Sequence, residues 1–180
     1  DYHPSGEYII IASDKGLYVR SVSNNKMIQD TIILDEYLNS AKFSHNGEYI
    51  MAFSSKHAYL FKVDDKKFTL KKEIQSSKDS KILSAMLIDD GKRIIVAEKL
   101  FKKEYKTDTI HIAVSDTRDI TNKVSSLFMV HDKSVKDAFF HPNGNFFTIS
   151  DGKLWIWRFY EDKFERKYEC TDTIHDVDKA

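Results

Sequence analysis

The chain has 180 residues, which is enough for one ordinary domain with its own hydrophobic core. Its 28 basic and 28 acidic side chains cancel, and this excludes a global electrostatic field that would draw the protein to nucleic acid or to a membrane surface. Aromatic residues make up 13% of the chain, which favours a β-rich core of large, flat side chains.

A turn followed by an apolar run occurs four times along the chain. The four copies read "YHPSGEYIIIAS", "FSHNGEYIMAFS", "LIDDGKRIIVAE" and "FHPNGNFFTISD". Their glycines are Gly6, Gly47, Gly91 and Gly144, so the copies are spaced by 41, 44 and 53 residues. Pro, Asn, Asp and Gly supply the dihedral angles of a tight turn, and the β-branched and aromatic residues after it favour a strand. Self-similarity of this kind indicates a repeat architecture.

Each copy continues with further predicted strands. In the first unit a second turn, "DKG", leads to "LYVRSV", and a polar linker then leads to a weaker strand, "KMIQDTII". A second marker sets the phase of the repeat: an alanine lies six residues before the glycine, with an apolar residue three places earlier. The alanines are Ala41, Ala85 and Ala138, and the apolar residues are Leu38, Ile82 and Val135. The sequence therefore predicts an all-β fold of four-stranded antiparallel units at approximately 1–41, 42–85, 86–138 and 139–180.

A period of ~40–45 residues with four strands in each unit is typical of a β-propeller blade. The segment from His131 to Trp157 resembles a WD repeat, because His131 lies 13 residues before the turn glycine and Asp151 lies six residues before Trp157. The resemblance implies that His131, Asp151 and Trp157 form a buried hydrogen-bond network that holds the blade together. Thr148 or Ser150 would be its fourth member.

The resemblance covers the whole chain by period and strand pattern, but its motif is specific in one unit. Even there, Val130 replaces the glycine before the histidine, and Arg158 replaces the final aspartate. Arg20 and Phe61 stand at the tryptophan position of the first two units. The four periods begin and end at the same phase. We therefore expect four consecutive blades of a larger propeller with roughly seven blades, and the alternative is a closed four-blade ring.

An insertion accounts for the longest spacing. The run "EKLFKKEYKTD" lies between Ala97 and Thr109, and the resemblance implies that it joins two strands on the face that carries the histidine loops. Lysines interleaved with aromatics predict a contact loop for a protein or an RNA backbone. The alternative is a solvated hairpin whose lysines protect a strand edge. The candidate contact residues are Lys99, Phe101, Lys102, Lys103, Tyr105 and Lys106.

The sequence offers no pattern that is typical of an enzyme. No histidine pair has zinc-site spacing, none of the glycines lies in a phosphate-binding motif, and His3 and His141 belong to the turn pattern. We therefore predict no metal, no cofactor and no small-molecule substrate. The single Cys170 suggests a reducing compartment, so an intracellular location in cytoplasm or nucleus is expected. No apolar run approaches the ~20 residues that span a bilayer, and no membrane partner is expected.

The predicted function is a non-catalytic scaffold for protein–protein interactions within a larger protein or multisubunit complex. The alternative is a propeller subunit of a large ribonucleoprotein assembly, such as the small-subunit processome of ribosome biogenesis, with RNA as a further partner. That alternative comes from the run "DGKLWIWRFYEDKFERKYEC", which is similar to a divergent propeller of that assembly.

Overall fold

Fifteen β-strands form the described part of the protein in a computed structural model. The described residues are 1–34, 36–64, 67–89, 91–100, 108–117, 123–131, 134–141, 145–150, 152–160 and 163–170. The strands form four antiparallel sheets in chain order, and neighbours in sequence are neighbours in each sheet. This confirms the predicted all-β architecture.

The first sheet has three strands, and each of the other three has four. Sheet 1 contains β1 (Tyr8–Ala12), β2 (Gly16–Ser21) and β3 (Met27–Ile33). Sheet 2 contains β4 (Ser40–Phe43), β5 (Tyr49–Phe53), β6 (His57–Asp64) and β7 (Lys67–Gln75). Sheet 3 contains β8 (Ser80–Ile88), β9 (Arg93–Leu100), β10 (Asp108–Asp116) and β11 (Lys123–His131). Sheet 4 contains β12 (Val135–Phe140), β13 (Asn145–Ser150), β14 (Lys153–Tyr160) and β15 (Lys163–Cys170).

The sequence units and the sheets have different phases. The unit boundaries after Ala41, Ala85 and Ala138 fall inside β4, β8 and β12, which are the first strands of sheets 2, 3 and 4. The repeated alanine therefore marks the middle of a first strand, and the linker before that strand connects one sheet to the next.

The repeated glycine closes the turn before the second strand of sheets 2 and 3 and before β1 of the three-stranded sheet 1. The Gly6 amide donates to the His3 carbonyl at 2.8 Å, and the Gly47 amide donates to the Ser44 carbonyl at 2.9 Å. Both glycines have positive φ, 72° and 76°. Residues with a Cβ disfavour this left-handed region, which explains why glycine recurs at this place in the turn.

Side chains that point alternately to the two faces of a strand pack on both sides of a sheet that lies between two others. In β5, Ile50 and Ala52 pack toward sheet 1, whereas Met51 and Phe53 pack toward sheet 3. Successive strand residues point to opposite faces, so a sheet between two others needs apolar residues at every position. Near-continuous apolar runs such as "YIMAF" follow from this arrangement.

The first strands of sheets 2, 3 and 4 lie together on one side of the stack. Strand β8 contacts β12, and residues of β4, β8 and β12 line a shared cavity of about 800 Å³. First strands that meet in this way are typical of propeller blades arranged around an axis.

Candidate interaction face and blade network

One edge of the stack contains the connections between sheets and the turns between the second and third strands of sheets 2, 3 and 4. In the three-stranded sheet 1 the glycine turn precedes β1, so β1 and β2 correspond to those second and third strands. Antiparallel order brings both kinds of connection to the same edge, because every fourth strand ends where the second strand of its sheet ends. We call this edge the loop face. Its described connections comprise residues 13–15, 34, 36–39, 54–56, 76–79, 134 and 152.

A repeated hydrogen bond joins neighbouring sheets at the loop face. The Leu38 amide donates to the Ser13 carbonyl at 2.9 Å, and the Ile82 amide donates to the Ser55 carbonyl at 2.8 Å. These are two of the apolar residues that mark the repeat in the sequence. In the third copy the acceptor is a side chain, since the Val135 amide donates to Asp108 Oδ2 at 2.6 Å. A carboxylate at the start of β10 thus replaces the turn carbonyl of the other two copies.

The structure places Lys99 differently from the sequence interpretation. It lies within β9 and is only 8% exposed, so it belongs to the sheet interior and not to a projecting loop. Its Nζ lies 2.5 Å from Asp108 Oδ2 and donates to the Val135 carbonyl at 2.8 Å. A buried ammonium needs compensating partners. Because one of these partners is the Val135 carbonyl of β12, the Lys99 side chain links sheet 3 to sheet 4.

The same contacts set the protonation of Asp108. Burial alone would raise the pKa of this carboxyl, but hydrogen bonds from Lys99, Ser134 and the Val135 amide outweigh burial and hold the pKa below its ordinary value. The ionised form is therefore the one that the fold stabilises.

The predicted blade network is partly described. His131 is buried, and its ring lies 5.9 Å from the ring of Trp157 in an edge-on arrangement. Trp157 Nε1 donates to Thr148 Oγ1 at 3.0 Å, so Thr148 and not Ser150 accepts the indole hydrogen. Asp151 lies outside the described residues.

A second cluster of polar side chains joins the connection before sheet 2 to its outer strands. Glu36 Oε1 lies 3.0 Å from His57 Nδ1 and accepts a hydrogen bond from the Tyr59 hydroxyl, while His57 Nε2 lies 3.5 Å from Glu73 Oε1. Burial would raise the pKa of Glu36, but hydrogen bonds from Ser54, Tyr59 and His57 lower it. Burial, followed by the nearby Glu36 carboxylate, raises the pKa of Tyr59.

Sequence reasoning missed this cluster. The spacing of His57 and Tyr59, two residues apart on one face of a strand, was the available signal. Glu36 lies in the linker, and nothing in its own neighbourhood identifies a partner 21 residues further along the chain.

Comparison with known proteins adds the family. Residues 122–158 match the family model of the WD40 repeat, described as "WD domain, G-beta repeat". The described strands β11 to β14 lie in that range, together with His131, Thr148 and Trp157. The match is confined to the unit around these residues, and together with the propeller fold it supports a WD-repeat β-propeller family.

Solved structures agree with this fold. The β-propeller domain of Myceliophteria thermophila Cps50 (Swd1) matches 87% of this chain with 13% identity and a TM-score of 0.66. A putative 6-phosphogluconolactonase from Bacteroides uniformis matches 94% of it with 17% identity and a TM-score of 0.68. The chain spans 51% and 53% of these two structures, about half of each. No curated protein matches the sequence.

The remaining site predictions concern the insertion. Phe101, Lys102, Lys103, Tyr105 and Lys106 lie outside the described residues, while the strands on either side, β9 and β10, are the second and third of sheet 3. Among the described residues, no group of three or more His, Cys, Asp or Glu side chains could hold a metal ion. A helix long and apolar enough to cross a membrane was likewise not found in the described part of the chain.

Proposed function

We propose that this WD-repeat segment is a non-catalytic, intracellular scaffold for protein–protein interactions within a larger protein or multisubunit complex. The loop face supports this proposal best. Its connections join sheets that a repeated hydrogen bond links to one another. A rigid base that presents several loops on one edge is suited to recognition, because loops carry binding while the fold holds them in place.

The outer faces of sheets 1 and 4 support membership of a larger ring. Ile9, Ile11 and Tyr18 alternate with the buried residues of β1 and β2, so they face away from sheet 2. On sheet 4, Phe139 and Phe147 stack at 5.1 Å on the face turned away from sheet 3. Apolar faces of this kind resemble those that pack between sheets elsewhere in the chain, and the matched structures are about twice as long.

The insertion 98–108 is the contact loop that we propose for a partner. Lys99 and Asp108 pair at its two ends, where β9 stops and β10 starts, and both bond to Val135. Fixed ends reduce the conformational entropy that a loop loses on binding, which favours recognition by the residues between them.

Charge reversal tests this assignment. In the full-length protein, Lys102→Glu with Lys103→Glu is expected to weaken co-purification of partner proteins, measured by quantitative mass spectrometry after nuclease treatment. The control is Lys67→Glu with Lys71→Glu on β7, two exposed lysines that give the same change in charge. Equal partner recovery from both variants contradicts the contact-loop assignment.

The ribonucleoprotein alternative has its own signature in the same experiment. RNA contact by the two lysines requires that the double reversal reduce RNA retention and its salt dependence, because each lost phosphate contact lowers the slope of binding against salt. Retention that does not change while protein recovery falls supports the protein scaffold.

A further inference from the structure

Strand register identifies equivalent positions in three sheets. The repeated alanine of the first strand pairs with a residue of the second strand, which pairs in turn with a residue of the third. The resulting rows are Ala41–Ala52–Tyr59, Ala85–Val96–Ala113 and Ala138–Thr148–Trp155. Two residues further along the third strands lie Phe61, Ser115 and Trp157. Two large aromatic residues in sheets 2 and 4 therefore correspond to an alanine and a serine in sheet 3.

The small residues leave a groove between sheets 2 and 3. Ala113 and Ser115 line a cavity of about 500 Å³ that opens between β7 and the outer half of sheet 3. The inner half of the same interface is packed by residues such as Leu60 and Ile94. Ile74 of β7 and Leu100 of β9 form apolar walls of the cavity. Its volume lies within the ~300–1,000 Å³ typical of pockets that bind ligands. We call this cavity the sheet 2–3 groove.

Polar side chains line both walls of the groove, with Lys72, Gln75 and Ser77 on the sheet 2 side and the only described carboxylate, Glu98, on the sheet 3 side. Glu98 lines it with a side chain that is 14% exposed, and Glu98 Oε2 lies 3.8 Å from His111 Nδ1. His111 Nε2 lies 2.7 Å from Ser126 Oγ, and the His111 ring stacks on Phe128 at 4.7 Å. Phe128 is 59% exposed although it is a large apolar residue at the groove. A carboxylate acceptor thus lies next to an exposed aromatic ring.

We propose that the sheet 2–3 groove receives a tryptophan or tyrosine side chain of a partner protein. The ring occupies the space beside Ala113 and Ser115, and its N–H or O–H donates to the Glu98 carboxylate. The chain itself supplies the precedent, since the Tyr59 hydroxyl donates to Glu36 and the Trp157 indole donates to Thr148. This inference deepens the proposed scaffold function, on which it rests for the existence of a protein partner.

The chemistry of the occupant follows from the volume of the groove and from the carboxylate of Glu98. Aromatic side chains bury 150–250 Å² each and combine an apolar body with a polar tip, which matches apolar walls and one mostly buried carboxylate. An aliphatic side chain would leave Glu98 without a new donor while removing water from it, and this desolvation is unfavourable.

Ligand-observed NMR with N-acetyl-tryptophanamide as the probe tests the proposal on the full-length protein. We expect saturation transfer to the indole protons in the parent protein. We expect no transfer in Ala113→Phe, because the new ring occupies the space beside Ser115 in the sheet 2–3 groove. Thermal unfolding of that variant should occur at or above the parent's midpoint, since an internal cavity is filled. Val22→Phe adds a ring at an exposed position in the connection after β2 and should leave probe binding unchanged.

A shape-preserving variant covers the case in which Ala113→Phe does not fold. Glu98→Gln keeps the side-chain size and removes the charge, so we expect the probe to bind on the order of tenfold more weakly. N-acetyl-leucinamide should bind more weakly than the tryptophan probe. Probe binding that is absent from the parent, equal in Glu98→Gln, or surpassed by the leucine probe overturns the proposal. Because these readouts use no partner protein, they can fail while the scaffold function stands.

Discussion

Trp157 combines two stabilising effects in one side chain. Its ring packs against the core between sheets 3 and 4, and its indole hydrogen satisfies the buried Thr148 hydroxyl. We expect Trp157→Ala to lower the free energy of unfolding by about 3 kcal/mol, measured by chemical denaturation. Trp157→Phe should cost about 1 kcal/mol, because it leaves one hydroxyl without its donor. Leu70→Ala, at an exposed apolar side chain of β7, is the control, and an equal effect there would contradict the assignment.

The Lys99–Asp108 pair is a second stabilising contact at the residue scale. Asp108→Asn removes the negative charge beside a buried ammonium and weakens the acceptor of the Val135 amide, so we expect a loss of about 3 kcal/mol in unfolding free energy. Asp64→Asn is the matched control, because Asp64 pairs with Lys62 at 3.7 Å but is largely exposed. Its effect should be close to zero.

Acid titration separates charge from shape at Asp108. The folded-state pKa of this carboxyl is lowered from 3.8, so its stabilising contribution is present above that value and is lost as the pH falls through the folded pKa. The difference in stability between parent and Asp108→Asn should therefore shrink below about pH 4. A difference that stays constant down to pH 2 would contradict the ionic contribution.

Individual residues were predictable only where a repeat supplied a template. The sequence left Thr148 and Ser150 as alternatives, and strand alternation cannot separate them because both side chains face sheet 3. The difference is position along the strand: Thr148 lies opposite Trp155 and within reach of the next tryptophan. Lys99 falls in the insertion, so the sequence predicts a loop residue there, and its contact with the Val135 carbonyl, 36 residues further along the chain, has no signal in the sequence.

At the scale of elements, the turns carry most of the predictable information. The alignment of the glycines gave the turns, and the turns gave the strand pairs around them. The length of β9 and β10 was not predictable in the same way. The insertion interrupts the pattern between them, and Lys99 and Asp108 are held in strands by contacts to sheet 4.

Two turn glycines form a matched pair for testing the turns. Both need a positive φ, so alanine at either position should cost about 1 kcal/mol from backbone strain. A Cβ at Gly6 would meet nothing within 4 Å, whereas a Cβ at Gly47 would lie 2.4 Å from the His3 ring. That ring is held against Tyr8 at 4.2 Å and Phe43 at 5.0 Å.

The expected difference follows from this packing. Denaturant melts should give Gly47→Ala about 1 kcal/mol more destabilisation than Gly6→Ala, because the His3 ring must move. Equal effects would mean that the turn of sheet 2 does not depend on its contact with sheet 1. His3→Ala in the Gly47→Ala background should restore part of the loss.

For the whole molecule, periodicity was sufficient to predict the architecture. A repeat of strands with continuous apolar runs can bury its residues only if sheets stack on both sides, and this is how "YIMAF" packs between sheets 1 and 3. The sheet 2–3 groove was not predictable, because Ala113 and Ser115 fall after the insertion, where the alignment of the units is lost. The strand pairing in the structure is what shows that Ala113 and Ser115 are equivalent to the aromatic residues of sheets 2 and 4.

The proposal of a larger ring leads to a prediction for Ile11. This side chain is 39% exposed on the outer face of sheet 1, and a further sheet packed there would bury it. In the full-length protein, Ile11→Asp should then lower the free energy of unfolding by about 3 kcal/mol, because it places a charge in an apolar interface. Val22→Asp is the control, since Val22 is 46% exposed and lies in the connection after β2. Its effect should stay within about 0.5 kcal/mol.

The same pair of variants in the 180-residue chain alone completes the argument. Without a covering sheet, Ile11→Asp places its charge in water and should resemble Val22→Asp, so the large effect must depend on the remainder of the ring. A small effect of Ile11→Asp in both proteins would contradict the larger ring and favour a chain whose outer faces remain open. A large effect in both would mean that the fold of sheet 1 itself depends on Ile11.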